Sequence, residues 1–540
     1  MTVAGSILDA LASAGTERVF GLPGVHNLAF WQEQAPGRPD IVGVRHEQTT
    51  VYAADGAARA TGSPGAALTT TGPGAANAVA AFGEAAASHS PVMLVASEIA
   101  TTLRRPGVVR GVLHESADQA GLFEPLAKAV YRPRTAAEVA EAVSEALTTA
   151  LTWPQGPVYL DVPTDVLASP GVPVPPAGPA RTATDPAALA AAVAEIDRAG
   201  RVVLWAGGGV VQAGAGAELD ALARRLKAPV VATFAARGVL PDGHPYLVAA
   251  PPHEPEVAAL IADADLMVAV GTDFDGMNTR NWTMPRPPRL VSVNCDPVDL
   301  AKNYPPDVAV RADALAALRE LSGADRREGV AARPEGWADP AALRAKVRAR
   351  LRAEDGDGPL DLVEAVEDAW PAEGAIVADM AVAGYWIGGY ASMGRPRRLQ
   401  YPVGWGTLGY ALPAAIGPAA VSRTPTLAVC GDGGLMFAVG ELATLAQERL
   451  PVTVLVVDDA CYGMLRYDQE RFGHPEQGVH LATPDFVALA GSFGIDARDV
   501  AGPGELPAAL RESAARGRPA LLRLPAALIP PRTTSPRWRD

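Results

Sequence analysis

Cysteine is almost missing from this chain. Cys295, Cys430 and Cys461 are the only three in 540 residues, and no two form a Cys-x-x-Cys pair. That excludes a disulfide framework and a cysteine-rich metal site, and it fits a reducing compartment. Basic charge is also short: 46 Lys and Arg stand against 60 Asp and Glu, a net charge of −14. The basic stripe expected of a nucleic-acid binder is absent. No uninterrupted apolar run reaches the ~18 residues that suggest a membrane span. The opening MTVAGSILDALASAGTERVF has no basic region followed by an apolar run, so it does not read as a secretory signal. The expectation is a soluble cytoplasmic protein with no membrane or nucleic-acid partner.

What is present is globular: 49% of residues are hydrophobic, and glycine (54) and proline (49) supply many turns without low complexity. The length suggests roughly three or four domains. Two stretches read as linkers, the Pro-rich Ala168 to Asp185 and the polar Gly323 to Pro340. They give a first domain over 1–168, a second over 186–322, a third over 341–527 and a tail over 528–540. Each block alternates short apolar runs with Ala-rich helical runs: PVMLVAS, RVVLWAGGG, LMVAVGTD, TLAVCGDGG and PVTVLVVDD read as strands. Strands apolar on both faces and separated by helices predict parallel sheets covered on both sides. The fold class is therefore α/β, with three doubly wound parallel-sheet domains. Ligands of such sheets bind at the carboxyl ends of the strands, so chemistry is sought in the loops that follow them.

The stretch TLAVCGDGGLMFAVGELATLAQERLPVTVLVVDDACYGML is the most informative. One strand ends at Cys430, and Gly431-Asp432-Gly433-Gly434 turns into a helix. The next strand runs from Val452 to Val457 and ends in Asp458-Asp459. Glycines let backbone approach a phosphate, and the helix start offers N–H donors. Carboxylate and phosphate oxygens suit Mg²⁺. Taken alone, the segment is equally a glycine turn with solvated acids at strand ends.

The spacing from Asp432 to Asp459, with Tyr462-Gly463-Met464 following, resembles the diphosphate–Mg²⁺ motif of thiamine-diphosphate enzymes. The resemblance implies Asp432 and Asp459 as side-chain ligands and the Cys461 carbonyl as a third. Asp458-Asp459 stands where that family usually has Asn-Asn, and a tighter Mg²⁺ dependence is expected. The run VGVRHEQTTVYAADGAARATG is similar to the family's segment bearing the glutamate that activates the pyrimidine ring, and Glu47 matches it. GLPG, with Pro23 and Gly24, and TTTGPGAANA, with Gly72 and Gly74, match loops that pass close to the cofactor. YPVGWGTLGYALPAAIG is the most family-specific stretch: Gly404 and Gly406 shape the turn, the Gly406 carbonyl accepts the 4′-amino group, and Leu408 wedges the cofactor into a V shape. The segment from Asp379, DMAVAGYWIGG, occupies the place of a further diphosphate loop but lacks the Gln-His of acetohydroxyacid synthases.

The middle block resembles the central domain of acetolactate-synthase-like enzymes. Its WAGGGVVQAGAG gives no clean dinucleotide fingerprint, so it is read as a structural relic, with FAD possible but not expected. The resemblance places Val25, His26, His114, Leu465 and Asp468 at the substrate pocket, His26 and His114 as acid–base candidates, Met464 against the cofactor, and Glu115 as the group orienting His114. The implied activity is thiamine-diphosphate- and Mg²⁺-dependent decarboxylation of a 2-oxo acid, with carboligation to an acceptor carbonyl ranked first. A simple decarboxylase, a catalytically silent relative and a nicotinamide dehydrogenase are the alternatives. Family active sites lie between subunits, so a homodimer or homotetramer is expected, with Glu47 of one copy facing Asp432 of another.

Overall fold

The computed structural model describes residues 1–323 and 337–532. Most of the second expected linker and the last eight residues of the tail lie outside the described residues. Among the described residues there are three sheets, each of six strands and all parallel. The first runs in the order Asp40–Gly43, Arg18–Gly21, Gly65–Thr69, Val92–Glu98, Val158–Pro163, Ala129–Tyr131. The third runs Leu399–Gln400, Ala375–Ala378, Thr426–Gly431, Val452–Asp458, Ala520–Pro525, Asp496–Asp499. The middle sheet repeats the pattern around Val202–Ala206 and Leu266–Val270. Val92–Glu98 and Val452–Asp458 are buried at every position, as central strands covered by helices on both faces must be.

In each sheet the direction of winding reverses at one pair of neighbouring strands. The loops after those two strands diverge and leave a crevice, the place where open α/β sheets take ligands. In the first sheet the pair is Arg18–Gly21 and Gly65–Thr69, so the crevice lies between the GLPG turn and the TGPG turn. In the third it is Ala375–Ala378 and Thr426–Gly431, which brings the loop at Asp379 beside Asp432–Gly434. In the middle sheet the corresponding turns close on each other. A Cβ added at Gly207 would lie 2.1 Å from the Gly271 oxygen, and one at Gly209 would lie 2.8 Å from the Gly271 Cα. Those glycines serve turn-on-turn packing. A cavity of about 580 Å³ lies beside this turn pair and is lined from all three domains, including Arg59, Arg237, Asn294 and Tyr401.

The first and third domains pack through two helices, Glu47–Thr61 and Ala411–Ser422. Their backbones nearly touch: a Cβ on Gly56 would lie 2.2 Å from the Ala414 oxygen, and one on Gly417 would lie 2.2 Å from the Ala53 oxygen. One buried apolar cluster runs through both domains, from Phe20 and Tyr52 to Tyr410 and Val454. At the far end of the first helix, Arg59 donates to Asp55 and to Glu84, each at 2.9 Å, and Tyr410 Oη donates to Asp55 at 2.9 Å. At the near end, Glu441 accepts from the backbone N–H of Arg45 at 3.0 Å and of His46 at 3.1 Å. The middle domain is fastened by Glu254, which pairs with Arg350 and accepts from Tyr390 Oη.

Candidate active site

The expected site residues fall into two groups, one at each crevice. The first group belongs to the first sheet. Glu47 opens its helix at the first position, where its charge also suits the helix dipole. Its Oε2 accepts from Asn77 Nδ2 at 3.0 Å, and a Cβ on Gly74 would stand 3.4 Å from its Oε1. Glu47 is therefore half-exposed over the TGPG turn. Asn77 lies in the same quoted run as Gly72 and Gly74, yet sequence reasoning did not single it out. Gly24 N–H is held by Asn27 Oδ1 at 2.8 Å, and a Cβ on Gly24 or on Gly74 would each lie 2.6 Å from the Thr70 side chain. Thr70 thus fixes both turns of the crevice. Pro23 and Val25 sit exposed at its lip.

His26 and His114 meet edge to face, with ring centroids 5.4 Å apart at 88°. Burial, and then the neighbouring His114 ring, hold the His26 imidazole below its ordinary range. The Nδ1 atoms of both rings are buried without a partner among the described residues. Two imidazoles with free ring nitrogens at a ligand crevice can hand a proton to a bound molecule. Glu115 does not orient His114 as expected. Its carboxylate accepts from the backbone N–H of Arg110 at 2.7 Å and of Val112 at 3.1 Å, tying up its own loop. His114 is instead set by backbone: it has a left-handed φ of 66°, and Gly72, at φ 64°, packs against it.

The second group belongs to the third sheet. The expected continuous helix after the GDGG turn is broken. A short helix Asp432–Met436 is followed by a 3₁₀ turn Val439–Glu441 and then the helix Leu442–Glu448. The break turns Glu441 inward onto Arg45 and His46. Asp432 is buried, and its carboxylate accepts from Gly433 N–H at 2.7 Å and Cys461 N–H at 3.1 Å. Burial, together with the charges of Asp459 and Asp458, pushes its carboxyl up to about 6. Asp459 is likewise raised by burial, while Arg466 at 3.6 Å opposes the shift. Two crowded carboxylates on adjacent strand ends have the oxygen chemistry that a hard divalent cation fits. Cys461 stands beside them, and its carbonyl is the expected third donor. The loop is pinned from outside, since Tyr462 N–H donates to the Val479 oxygen and Leu481 N–H to the Ala460 oxygen, each at 2.8 Å. The Tyr462 ring covers Gly433, where a Cβ would lie 2.5 Å from it.

Asp379 was expected only to begin a diphosphate loop. It is fully buried and accepts from Met380 N–H at 3.0 Å, Gly409 N–H at 3.0 Å and Tyr410 N–H at 3.1 Å. A Cβ on Gly434 would lie 2.3 Å from its Oδ2. One carboxylate therefore ties the Asp379 loop to Gly409 and Tyr410, just beyond the Gly406–Leu408 turn, and packs against Gly434 of the GDGG turn. Its only sequence signal was an acid at a strand end. Gly404 and Gly406 are exposed, Gly406 at φ 75°, and Leu408 touches the Gly434 side of the crevice. Gly431, Gly463 and Met464 line the same region, Leu465 is exposed at 54%, and Asp468 is buried on the helix Gly463–Arg471. The tail leaves this region: Trp386 Nε1 donates to the Ile529 oxygen at 2.8 Å, and Arg532 pairs with Asp355 at 3.0 Å. Among the described residues, no helix is long and apolar enough to cross a membrane.

Three family models match in the order of the three sheets: the thiamine pyrophosphate enzyme N-terminal TPP binding domain over 1–122, the central domain over 189–321 and the C-terminal TPP binding domain over 379–524. A probable 2-ketoarginine decarboxylase, AruI, of Pseudomonas aeruginosa is 33% identical over 95% of this chain and 91% of its own length. A probable acetolactate synthase large subunit of Methanocaldococcus jannaschii is 30% identical over 97% of this chain and 91% of its own. The acetolactate synthase large subunit of Parasynechococcus marenigrum is 30% identical over 91% and 82%. Matched along nearly its whole length, with both crevices falling inside the N-terminal and C-terminal TPP binding domains, the chain belongs to the thiamine pyrophosphate enzyme family.

Proposed function

We propose that this chain, with thiamine diphosphate and Mg²⁺, decarboxylates a 2-oxo acid and releases an aldehyde. The observation that carries this reading is the His26–His114 pair beside the Glu47 crevice. When bound, the cofactor supplies an electron sink for the carbon that loses CO₂. The rest falls to the protein. Glu47 holds a proton at the pyrimidine nitrogen. Asp432, Asp459 and the Cys461 carbonyl would hold Mg²⁺, and Gly431, Gly433, Gly434 and Gly463 would leave room for the diphosphate. The Gly406 carbonyl and Leu408 seat the pyrimidine. His26 and His114 deliver the proton that completes the product. Sequence reasoning ranked carboligation first; a proton source this close to the crevice favours protonation instead. Carboligation is kept as the second reading because two of the relatives above are named acetolactate synthases.

The name of the Pseudomonas relative points to a 2-oxo acid with a cationic far end, and Asp468, on the helix after the metal loop, is the residue to vary against such substrates. Assembly follows from what both crevices leave uncovered: Val25 is 62% exposed, Trp405 51%, Phe437 55% and Leu465 54%. A second copy laid across these residues buries them and closes the Glu47 crevice of one chain over the Asp432 crevice of the other. The test is a panel of guanidino, amino and neutral 2-oxo acids incubated with thiamine diphosphate and Mg²⁺, scored for CO₂ and for product with and without an acceptor aldehyde. CO₂ with aldehyde, fastest for the cationic acids, supports the proposal. Ligation products in preference to aldehyde establish the second reading, and no CO₂ from any acid refutes both.

A further inference from the structure

Behind the histidine pair lies a buried polar cluster that the proposed chemistry does not use. Strands Val92–Glu98 and Val158–Pro163 pair with Ala96 opposite Asp161 and Glu98 opposite Pro163. Residues two apart on a strand share a face, so Glu98 and Asp161 are diagonal neighbours on one side of the sheet. They are 1% and 2% exposed. Arg104 pairs with Glu98, and Ile99 N–H donates to it at 2.7 Å. Burial, and then the Glu98 charge, push the Asp161 carboxyl up to about 7, against the pull of Arg134 and Arg104. Asp161 therefore holds its proton more tightly than an ordinary carboxyl does.

Gln119, itself 1% exposed, joins this acid pair to the crevice. Its Nε2 donates to Asp161 Oδ1 at 2.8 Å, with Tyr159 Oη at 2.9 Å and the Ser97 oxygen at 3.0 Å also in reach. Its Oε1 accepts from the Gly72 N–H. Gly72 is the residue whose left-handed backbone packs against His114, and Glu98 is the charge that acts on His26 from the strand end. An amide is suited to this position: it satisfies a donor on one side and acceptors on the other, which a carboxylate or an alkyl group does not. We propose that Gln119 is a positioning residue: it locks the Gly72 turn to the Glu98–Asp161 pair and so fixes His114 against His26. The inference rests on the proposed role of the two histidines in turnover, but not on the identity of the substrate.

The test uses the full-length protein with its histidines ¹³C-labelled at Cε1. The chain has 8 histidines, and the signals of His26 and His114 are assigned by His26→Gln and His114→Gln. In the parent protein, the groups acting on His26 are His114 from its loop and Glu98 from its strand. In Gln119→Ala both signals move, and the His26 midpoint rises as His114 drifts away. In the same variant kcat falls roughly 10–100-fold, the scale of an ångström of misplacement. Thiamine diphosphate affinity changes by less than about threefold. Gln119→Asn keeps the amide and adds no charge but shortens its reach to Gly72 and Asp161, and it shows the same changes in smaller measure. It carries the test if the alanine variant does not fold. Histidine signals unmoved in the folded variants, or kcat and cofactor affinity falling in parallel, overturn the inference. If no 2-oxo acid is turned over, the proposed function fails while the histidine signals still decide the role of Gln119.

Discussion

Asp458 and Arg523 meet across adjacent parallel strands, Arg523 Nε lying 2.7 Å from Asp458 Oδ2. The register puts Val456 opposite Arg523 and Asp458 opposite Pro525, so the guanidinium reaches one diagonal step along a shared face. This accounts for the acid at 458 where the family usually carries an amide. Asp458 is buried at 3% side-chain exposure, and Arg523 meets its charge inside the sheet. Replacing Arg523 with Met leaves that carboxylate without its partner. Because Arg523 is about a third exposed and also pairs with Asp499, the expected loss is ~1–3 kcal/mol, below the range for fully buried pairs. Urea unfolding of the apo protein measures it. Asp458→Asn in the same background recovers most of the loss, and an Arg523→Met protein as stable as the parent contradicts the account.

Asp459 is different, since the only cation paired with it among the described residues is Arg466 at 3.6 Å. An amide at this position is expected to raise the Mg²⁺ concentration for half-maximal activity about tenfold, the effect of ~1.4 kcal/mol. Titration of EDTA-stripped protein with Mg²⁺ in saturating thiamine diphosphate reads the change. An unaltered Mg²⁺ requirement in Asp459→Asn removes the case for a tightened metal site.

Among the described residues the Glu47 carboxylate accepts one hydrogen bond, from the exposed Asn77. Glu47→Gln is therefore expected to leave thermal unfolding within about a degree of the parent while lowering kcat by 10²–10⁴, the usual scale for lost acid–base catalysis. Equal losses of stability and rate would mean that the residue serves the fold.

Asp379 gives the protein a pH signature. Burial lifts its carboxyl from 3.8 to about 6 in the folded chain, despite three backbone N–H donors. Between those two values the folded state holds the proton more tightly than the unfolded state does. This group's contribution to stability is therefore greatest below about pH 4, falls as pH rises toward 6, and is level above, a total of up to ~3 kcal/mol. Asp379→Asn mimics the protonated form. Measured by urea midpoint, the difference between variant and parent is expected to be small at pH 4 and to grow in the variant's favour up to pH 6. A constant difference across that range contradicts this.

Much of the fold was legible because its signals are local. Apolar runs such as PVTVLVVDD and VMLVASE have no polar face to expose, so they predict buried parallel strands. The glycine turns after them mark the strand ends that carry the crevices. What stayed hidden depends on partners far along the chain. Nothing near Glu441 announces that it will accept from Arg45 and His46, and the helix expected through it breaks to allow this. Arg523 reads as one surface arginine among many until the sheet order sets it beside Asp458. Glu115 was assigned to His114 because they are adjacent, but adjacency along a loop says little about where a side chain turns. Asp379 was read only as the start of a loop and Gln119 not at all, because one Asp and one Gln carry no spacing signal; their importance comes from topology.

The contact of Gly56 with Ala414 and of Gly417 with Ala53 leaves no sliding plane between the first and third domains, because backbone atoms fill the space a side chain would lubricate. A hinge there would have to tear open a continuous apolar interior. The two crevices of one chain are consequently held at a fixed separation, so a second copy laid across them would meet a rigid template rather than two domains that shift against each other.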